Sequence, residues 1–386
     1  VRPRLGTPGQ LAALAGASIL VGAYDQAAIG VALGPLRVRW HLSAGVVALV
    51  ASAAAIGMVV GGLGAGLLAA RLGRRRLLVA DVTLLALAAI ASALAPSADL
   101  LVAARLVGGV AVGVSYTIVF VYQRELDEAG SGSRWMAATL WAANFGMLGA
   151  YALGALLGTS VLAARTVLGA GALGALPLVL LRRRLPETAP VGRRHGVRSL
   201  RFGWADAATA LAWFSYQVSD QGTNVLLPII VAELGVASLR SASAASLVVK
   251  AVTIPASFAT IWVVDRLGRR RLQLLGFLGR AVAFGALAFA ALVEAPGWAL
   301  AALLAIGLAA GSMGPDKTTV MGAAMGEDPD GRARAQGIAQ TAGRLGGVVG
   351  PSAFVLAAGV GGAPLGIALF AASALVGWAV TVPMRS

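Results

Sequence analysis

Asp25 and Arg105 each interrupt a long apolar run, within GAYDQAAIG and RLVGGVAVG. A carboxylate beside a guanidinium stays ionised, and protonating it releases the arginine, so such a pair is a usable proton switch. Asp25 stands about 14 residues into its run, roughly 21 Å at 1.5 Å per residue. Arg105 stands about five residues into its own run from the other side, roughly 7 Å into a ~30 Å span. The two reach the same height if their runs cross a bilayer in opposite directions.

The lysines carry a second signal. Lys250 and Lys317 are the two lysines among 31 basic residues, and both fall inside apolar runs. Lysine, unlike arginine, presents a compact charge that burial can neutralise, so both are read as solute-binding or coupling residues. YQVSDQGTN places Gln217, Asp220, Gln221 and Asn224 within about two helical turns. Amides both donate and accept, which suits a hydroxyl-rich or carboxylate solute. GPDKTT sets Asp316 and Lys317 after Gly314-Pro315, a pair that predicts a kink with backbone groups freed toward a cavity. Arg344 lies near the middle of another run, and Trp141 and Asn144 are further lining candidates. With Lys250, Lys317 and Arg344 directed at one cavity, an anionic solute is favoured over a neutral sugar, although Asp220 and Asp316 would offset two of those charges.

The elements that must position these residues are set by composition. The chain of 386 residues is 58% apolar and only 12% charged. Its mean hydropathy is +0.83. Twelve apolar runs are read, at 11–33, 44–70, 77–95, 100–123, 135–158, 161–181, 204–232, 241–264, 272–293, 297–322, 334–358 and 363–382. Each suits a membrane-spanning helix, which needs about 20 residues. None shows the strict alternation of a membrane strand, and a helix satisfies its own backbone in lipid. The expected fold class is an all-α polytopic membrane protein.

The net charge of +15 would suggest a polyanionic partner in a soluble protein. Its distribution points elsewhere, because about 22 of the 31 basic residues fall in the even-numbered connections and the tails, and about 4 in the odd-numbered ones. That bias places both termini in the cytoplasm and makes the bilayer, not nucleic acid, the charged partner. The basic start VRPRLGTPGQ leads into a run without a small-residue cleavage site, so span 1 is expected to remain as an uncleaved anchor. There is no cysteine, and His41 and His195 fall in connections on opposite sides, so neither a metal nor another cofactor is expected. No His-Glu, Ser-His or Cys-based arrangement lies at bilayer depth, which argues against an enzyme.

The one long polar interruption, 182–203, divides the chain into a first six-helix bundle at 1–181 and a second at 204–386. RLGRRRLL at 71–78 and RLGRRRLQ at 266–273 each follow the second span of a half, which marks an internal duplication. Six spans per half leave the copies parallel, an architecture of secondary transporters with a solute site near the bilayer midplane.

Here a resemblance becomes specific. The chain resembles a transporter of the major facilitator superfamily over essentially its whole length. GLLAARLGRR (66–75) and DRLGRR (265–270) resemble the family's loop signature. GRLGGVVGP (343–351), after RARAQG (332–337), is similar to the eleventh helix of metabolite:proton and aromatic-acid:proton symporters. GAYDQAAIG, RLVGGVAVG and RRRLPET are similar to their counterparts in sugar porters and metabolite symporters. The resemblance implies two pseudo-symmetric six-helix bundles, a monomer, and proton-coupled symport of a small polar solute, with a neutral sugar:proton symporter and a drug:proton exporter as alternatives. It implies that Asp25 and Arg105 are paired, as their counterparts are in proton-coupled sugar porters. It also assigns a gating motif to Gly66, Arg71, Gly73 and Arg74 in the first copy and to Asp265, Arg266, Gly268 and Arg269 in the second. Ala70 stands where the first copy's aspartate belongs, so a weaker ion-pair network is expected there than around Asp265. Thr318 replaces the tryptophan that sugar porters often carry after the Gly-Pro pair, and the fifth span lacks the Gly-Pro signature usual in exporters.

Overall fold

The structure is a computed structural model that describes residues 7–126, 132–188, 204–238, 241–316, 318 and 329–384. Its regular elements are all helical: α1 Pro8–Trp40, α2 Ala44–Leu72, α3 Arg74–Leu94, α4 Ala98–Glu125, α5 Gly132–Leu157, α6 Val161–Arg182, α7 Trp204–Glu233, α8 Ala242–Ala251, α9 Thr253–Leu267, α10 Arg269–Leu292, α11 Gly297–Met313 and α12 Pro329–Thr381. Among the described residues nine helices are long and apolar enough to cross a membrane. The first seven helices coincide with spans 1–7, while α8 and α9 share span 8, α10 and α11 are spans 9 and 10, and α12 contains spans 11 and 12.

Three departures from the runs have local causes. Span 8 breaks at Val252, because Pro255 has no N–H for the Ala251 carbonyl and its ring crowds that carbonyl. The kink expected at Gly314-Pro315 is a helix end: α11 stops at Met313, and Gly314 takes φ −112 and ψ −91. In α12 the two spans meet at Gly361 and Gly362, where Gly362 has φ +74, a value costly for residues bearing a Cβ.

The duplication is visible in backbone angles. Gly73 (φ 85, ψ 159) precedes α3 and Gly268 (φ 75, ψ 154) precedes α10 in nearly the same conformation.

The chain forms two compact units, one of Val1–Trp40, Ala53–Leu153 and Ser160–Ser199, the other of His41–Ser52, Gly154–Thr159 and Leu200–Ser386. In the first, α1 packs on α4 and α6, and α3 on α4 and α6. In the second, α12 packs along α7 and α10, and α10 on α11. Lipid offers helices no hydrophobic reason to associate, so small residues that let backbones approach hold them together. A Cβ at Gly146 of α5 would lie 2.1 Å from the Leu20 carbonyl oxygen of α1, and one at Gly350 of α12 would lie 2.1 Å from that of Val218 of α7.

Candidate functional site

In the first unit the height argument for Asp25 and Arg105 resolves into contact. Arg105 Nη1 donates to Asp25 Oδ2 at 2.6 Å and to the Asp25 carbonyl at 3.0 Å. Both residues are buried, and among the described residues Arg105 Nε has no hydrogen-bond acceptor. Gly108 on α4 leaves room beside the carboxylate, since a Cβ there would stand 3.8 Å from Asp25 Oδ2. The neighbouring Tyr24 hydroxyl donates to the Val167 carbonyl at 2.8 Å and ties α1 to α6.

A second buried pair in the same unit escapes the sequence reading. Arg182, the first residue of the polar interruption, closes α6 and is fully buried. Its Nη1 donates to Asp81 Oδ1 at 2.9 Å and to the Leu78 carbonyl at 2.8 Å, and its Nη2 donates to Ser18 Oγ at 2.8 Å and to the Ala15 carbonyl. Ser115 Oγ donates to the other oxygen of Asp81. Every edge of this pair is occupied, whereas Arg105 keeps an idle nitrogen. The Asp81 pair is therefore a clasp between α1, α3, α4 and α6, and the Asp25 pair has capacity to exchange partners. The signal was present, since Asp81 is a carboxylate inside span 3.

At the end of that unit, Arg74 Nη2 meets Glu125 Oε1 at 3.1 Å, and Glu187 accepts from the backbone N–H groups of Arg74 (2.7 Å) and Arg75 (3.2 Å). Glu187 thus caps the amino-terminal end of α3, where unsatisfied N–H groups favour a carboxylate. Gly73 has φ +85, which favours glycine, and a Cβ there would displace the Glu187 carboxylate from the cap. The first copy finds its carboxylates at Glu125 and Glu187 rather than at position 70. Gly66 lies inside α2, and Arg71, near its end, is exposed. In the second copy Arg266, Gly268 and Arg269 are exposed, among the described residues nothing beyond its chain neighbours lies within 4 Å of a Cβ built on Gly268, and the Asp265 side chain lies outside the described residues. Trp141 and Asn144 sit half-buried on α5, with Asn144 Nδ2 donating to the Trp141 carbonyl at 3.2 Å and the Trp141 ring edge-on to Phe145 at 4.9 Å.

The second unit gathers its polar residues on α7. Gln217 is buried against the small residues of α12, where a Cβ on Gly346 would lie 3.1 Å from its own Cβ. Lys250, buried at the end of α8, donates to Asn224 Oδ1 at 2.8 Å. Two of the candidates from separate apolar runs are thus joined. Asp220 accepts from the Tyr216 hydroxyl at 3.1 Å and lies 3.6 Å from Nη2 of Arg280 on α10. Arg280, fully buried, was not singled out from the sequence, although it too interrupts an apolar run. Gln221, Asp316 and Arg344 are half-buried on α7, beyond α11 and on α12, and Lys317 lies outside the described residues. Among the described residues no group of His, Cys, Asp and Glu is placed to hold a metal.

Two units of membrane helices, each with a carboxylate–arginine pair whose arginine is fully buried and each with the same glycine-led turn, agree with what known proteins show. A profile of the Major Facilitator Superfamily matches residues 14–351. The chain belongs to this superfamily. Among its relatives, the 3-(3-hydroxy-phenyl)propionate transporter of Escherichia coli is 32% identical over 228 residues, covering 56% of this chain and 55% of that protein. The 4-hydroxybenzoate transporter PcaK of Pseudomonas aeruginosa is 34% identical over 214 residues, covering 53% and 47%. The arabinose-proton symporter of Bacillus subtilis is 38% identical over 111 residues, covering 29% and 24%. The matched segments thus span about half the length of the first of these relatives. The superfamily fold itself extends further: the inward-open xylose transporter XylE of E. coli superposes with a TM-score of 0.85 at 18% identity, over 98% of this chain and 96% of that one. This is a multi-pass membrane protein with the transporter fold, as the repeated loop signature and the twelve runs implied.

Proposed function

We propose that the chain is a proton-coupled symporter that moves a small organic anion across the cell membrane by alternating access. The observation that carries the coupling is the buried Asp25–Arg105 pair, bonded at 2.6 Å with one arginine nitrogen unused. A charge at bilayer depth costs on the order of 2.5–3.5 kcal/mol on insertion scales, so a transporter that keeps two there has a use for them. Protonation of Asp25 would dissolve the pair and free Arg105. Proton entry and rearrangement of α1 against α4 are then one event.

An aromatic carboxylate is the solute class best supported. The relatives named for 3-(3-hydroxy-phenyl)propionate and 4-hydroxybenzoate share that chemistry, and Lys250 supplies a buried ammonium beside the Asn224 amide. A neutral sugar is the second reading, favoured by the arabinose-proton relative. In either case the bundles are 1–181 and 204–386, joined through a cytoplasmic segment at 182–203, the working unit is a monomer, both termini face the cytoplasm, and no catalytic step is involved.

The test is uptake by proteoliposomes under an imposed inward proton gradient. Labelled hydroxybenzoate should accumulate, unlabelled arabinose should not compete, and Asp25→Asn should abolish accumulation while counterflow exchange continues. Concentrative uptake undiminished in that variant would remove the coupling assignment.

A further inference from the structure

The second unit carries an ion pair of another character. Arg280 Nε donates to Ser219 Oγ at 2.9 Å, and Nη1 points to the Gly307 carbonyl at 3.5 Å. Among the described residues Nη2 has no hydrogen-bond acceptor, and it faces Asp220 Oδ1 at 3.6 Å. The guanidinium carbon stands 5.2 Å from the Tyr216 ring centre and 4.9 Å from that of Phe284. Its place depends on Gly311 of α11, where a Cβ would lie 1.9 Å from Arg280 Nη1. Asp220, by contrast, is 14% exposed along its side chain, and among the described residues its Oδ2 receives no hydrogen bond. One end of the pair is sealed and the other is open.

We propose that Asp220 is a second proton site of this protein, and that Arg280 is a positioning residue that holds the carboxylate ionised until the proton arrives. A proton delivered by water adds to Oδ2 and forms one O–H bond. One O–H bond of the donating hydronium ion breaks as this one forms, a water molecule is released, and the ion pair gives way to a neutral acid beside a cation. The cation remains tolerable because two aromatic faces and a serine surround it, and cation–π contacts strengthen when desolvated. The ionisable groups facing this site are Tyr216 on the same helix, Arg280 on α10 and Asp316 beyond α11, whose charge reaches the Tyr216 hydroxyl. Lys250 of α8 and Arg344 of α12 lie on helices packed against α7, and each has partners of its own. The site rests on the proton-coupled reading for its place in the cycle, but its occupancy is measurable without substrate.

The experiment is infrared difference spectroscopy of the full chain in lipid, titrated with pH in the absence of solute and read at the carboxylic-acid carbonyl stretch. Asp220→Asn should lack one band present in the wild type. Arg280→Gln should develop that band at about tenfold lower proton concentration or less, and Arg280→Lys should return it toward the wild-type position. Gly311→Ala, which displaces the guanidinium without removing a charge, should move it as well. Identical spectra for Asp220→Asn and wild type would overturn the proposal. So would an Arg280→Gln titration superimposable on the wild type, even with a lowered unfolding temperature, since a merely structural arginine would behave that way. If Asp220→Asn does not fold, the two Arg280 variants decide the matter. Loss of gradient-driven uptake with an intact Asp220 band would count against the transport reading alone.

Discussion

The two units tie equivalent helices together with different chemistry. In the first, α3 is fastened to the end of α6 by Asp81 and Arg182, an ion pair with no exposed surface at 2.9 Å. In the second, α10 is fastened to the end of α12 by a neutral bond, Gln273 Nε2 to Thr381 Oγ1 at 2.9 Å. The carboxylates divide in the same way: Asp25 is held at 2.6 Å and sealed, while Asp220 stands 3.6 Å from its arginine and is partly exposed. Duplication preserved the helices, the glycine contacts and the turn at Gly73 and Gly268, but not every buried charge. Backbone packing in lipid therefore defines the fold, and ionised side chains are free to specialise one copy at a time.

The widest difference should appear at the two clasps. Asp81→Asn leaves Arg182 buried without its counter-charge and should cost about 3–5 kcal/mol, seen as a large fall in thermal unfolding temperature in detergent. Gln273→Leu, which leaves Thr381 Oγ1 its own bond to the Gly377 carbonyl, should cost only about 1 kcal/mol. Equal losses would remove the contrast. The glycine contacts should instead behave alike. Gly146→Ala and Gly350→Ala each push a methyl toward a carbonyl oxygen 2.1 Å away, and each should cost about 1–3 kcal/mol. A tolerant member of that pair would show that one unit is less closely packed than the other. A more local effect belongs to the turns. Glu187→Ala removes the cap of α3 and should cost about 0.5–2 kcal/mol in the first unit, as faster hydrogen exchange at Arg74 and Arg75.

Much of this was legible in the residues. Helix rise alone brought Asp25 and Arg105 to one height, because both lie inside spans whose ends composition marks clearly. Asp81 and Arg182 were lost because hydropathy reports where a run ends, not which way its last side chain turns. Arg182 begins a polar stretch in the sequence, yet folds back among α1 and α3. The break at Val252 was available through Pro255, whose missing N–H acts one turn earlier in the chain. The partnership of Lys250 with Asn224 was not readable, since 26 residues separate them and the approach depends on how α8 meets α7.

The fastening of Arg182 also has a mechanical side. Where the chain leaves α6, Arg182 is anchored to α1 and α3, the Pro186 carbonyl is held by the Tyr122 hydroxyl of α4 at 2.9 Å, and Glu187 is bound to the start of α3. Unwinding the last turn of α6 from its end would have to break contacts with three neighbouring helices. The end of the first unit is thereby guarded against fraying.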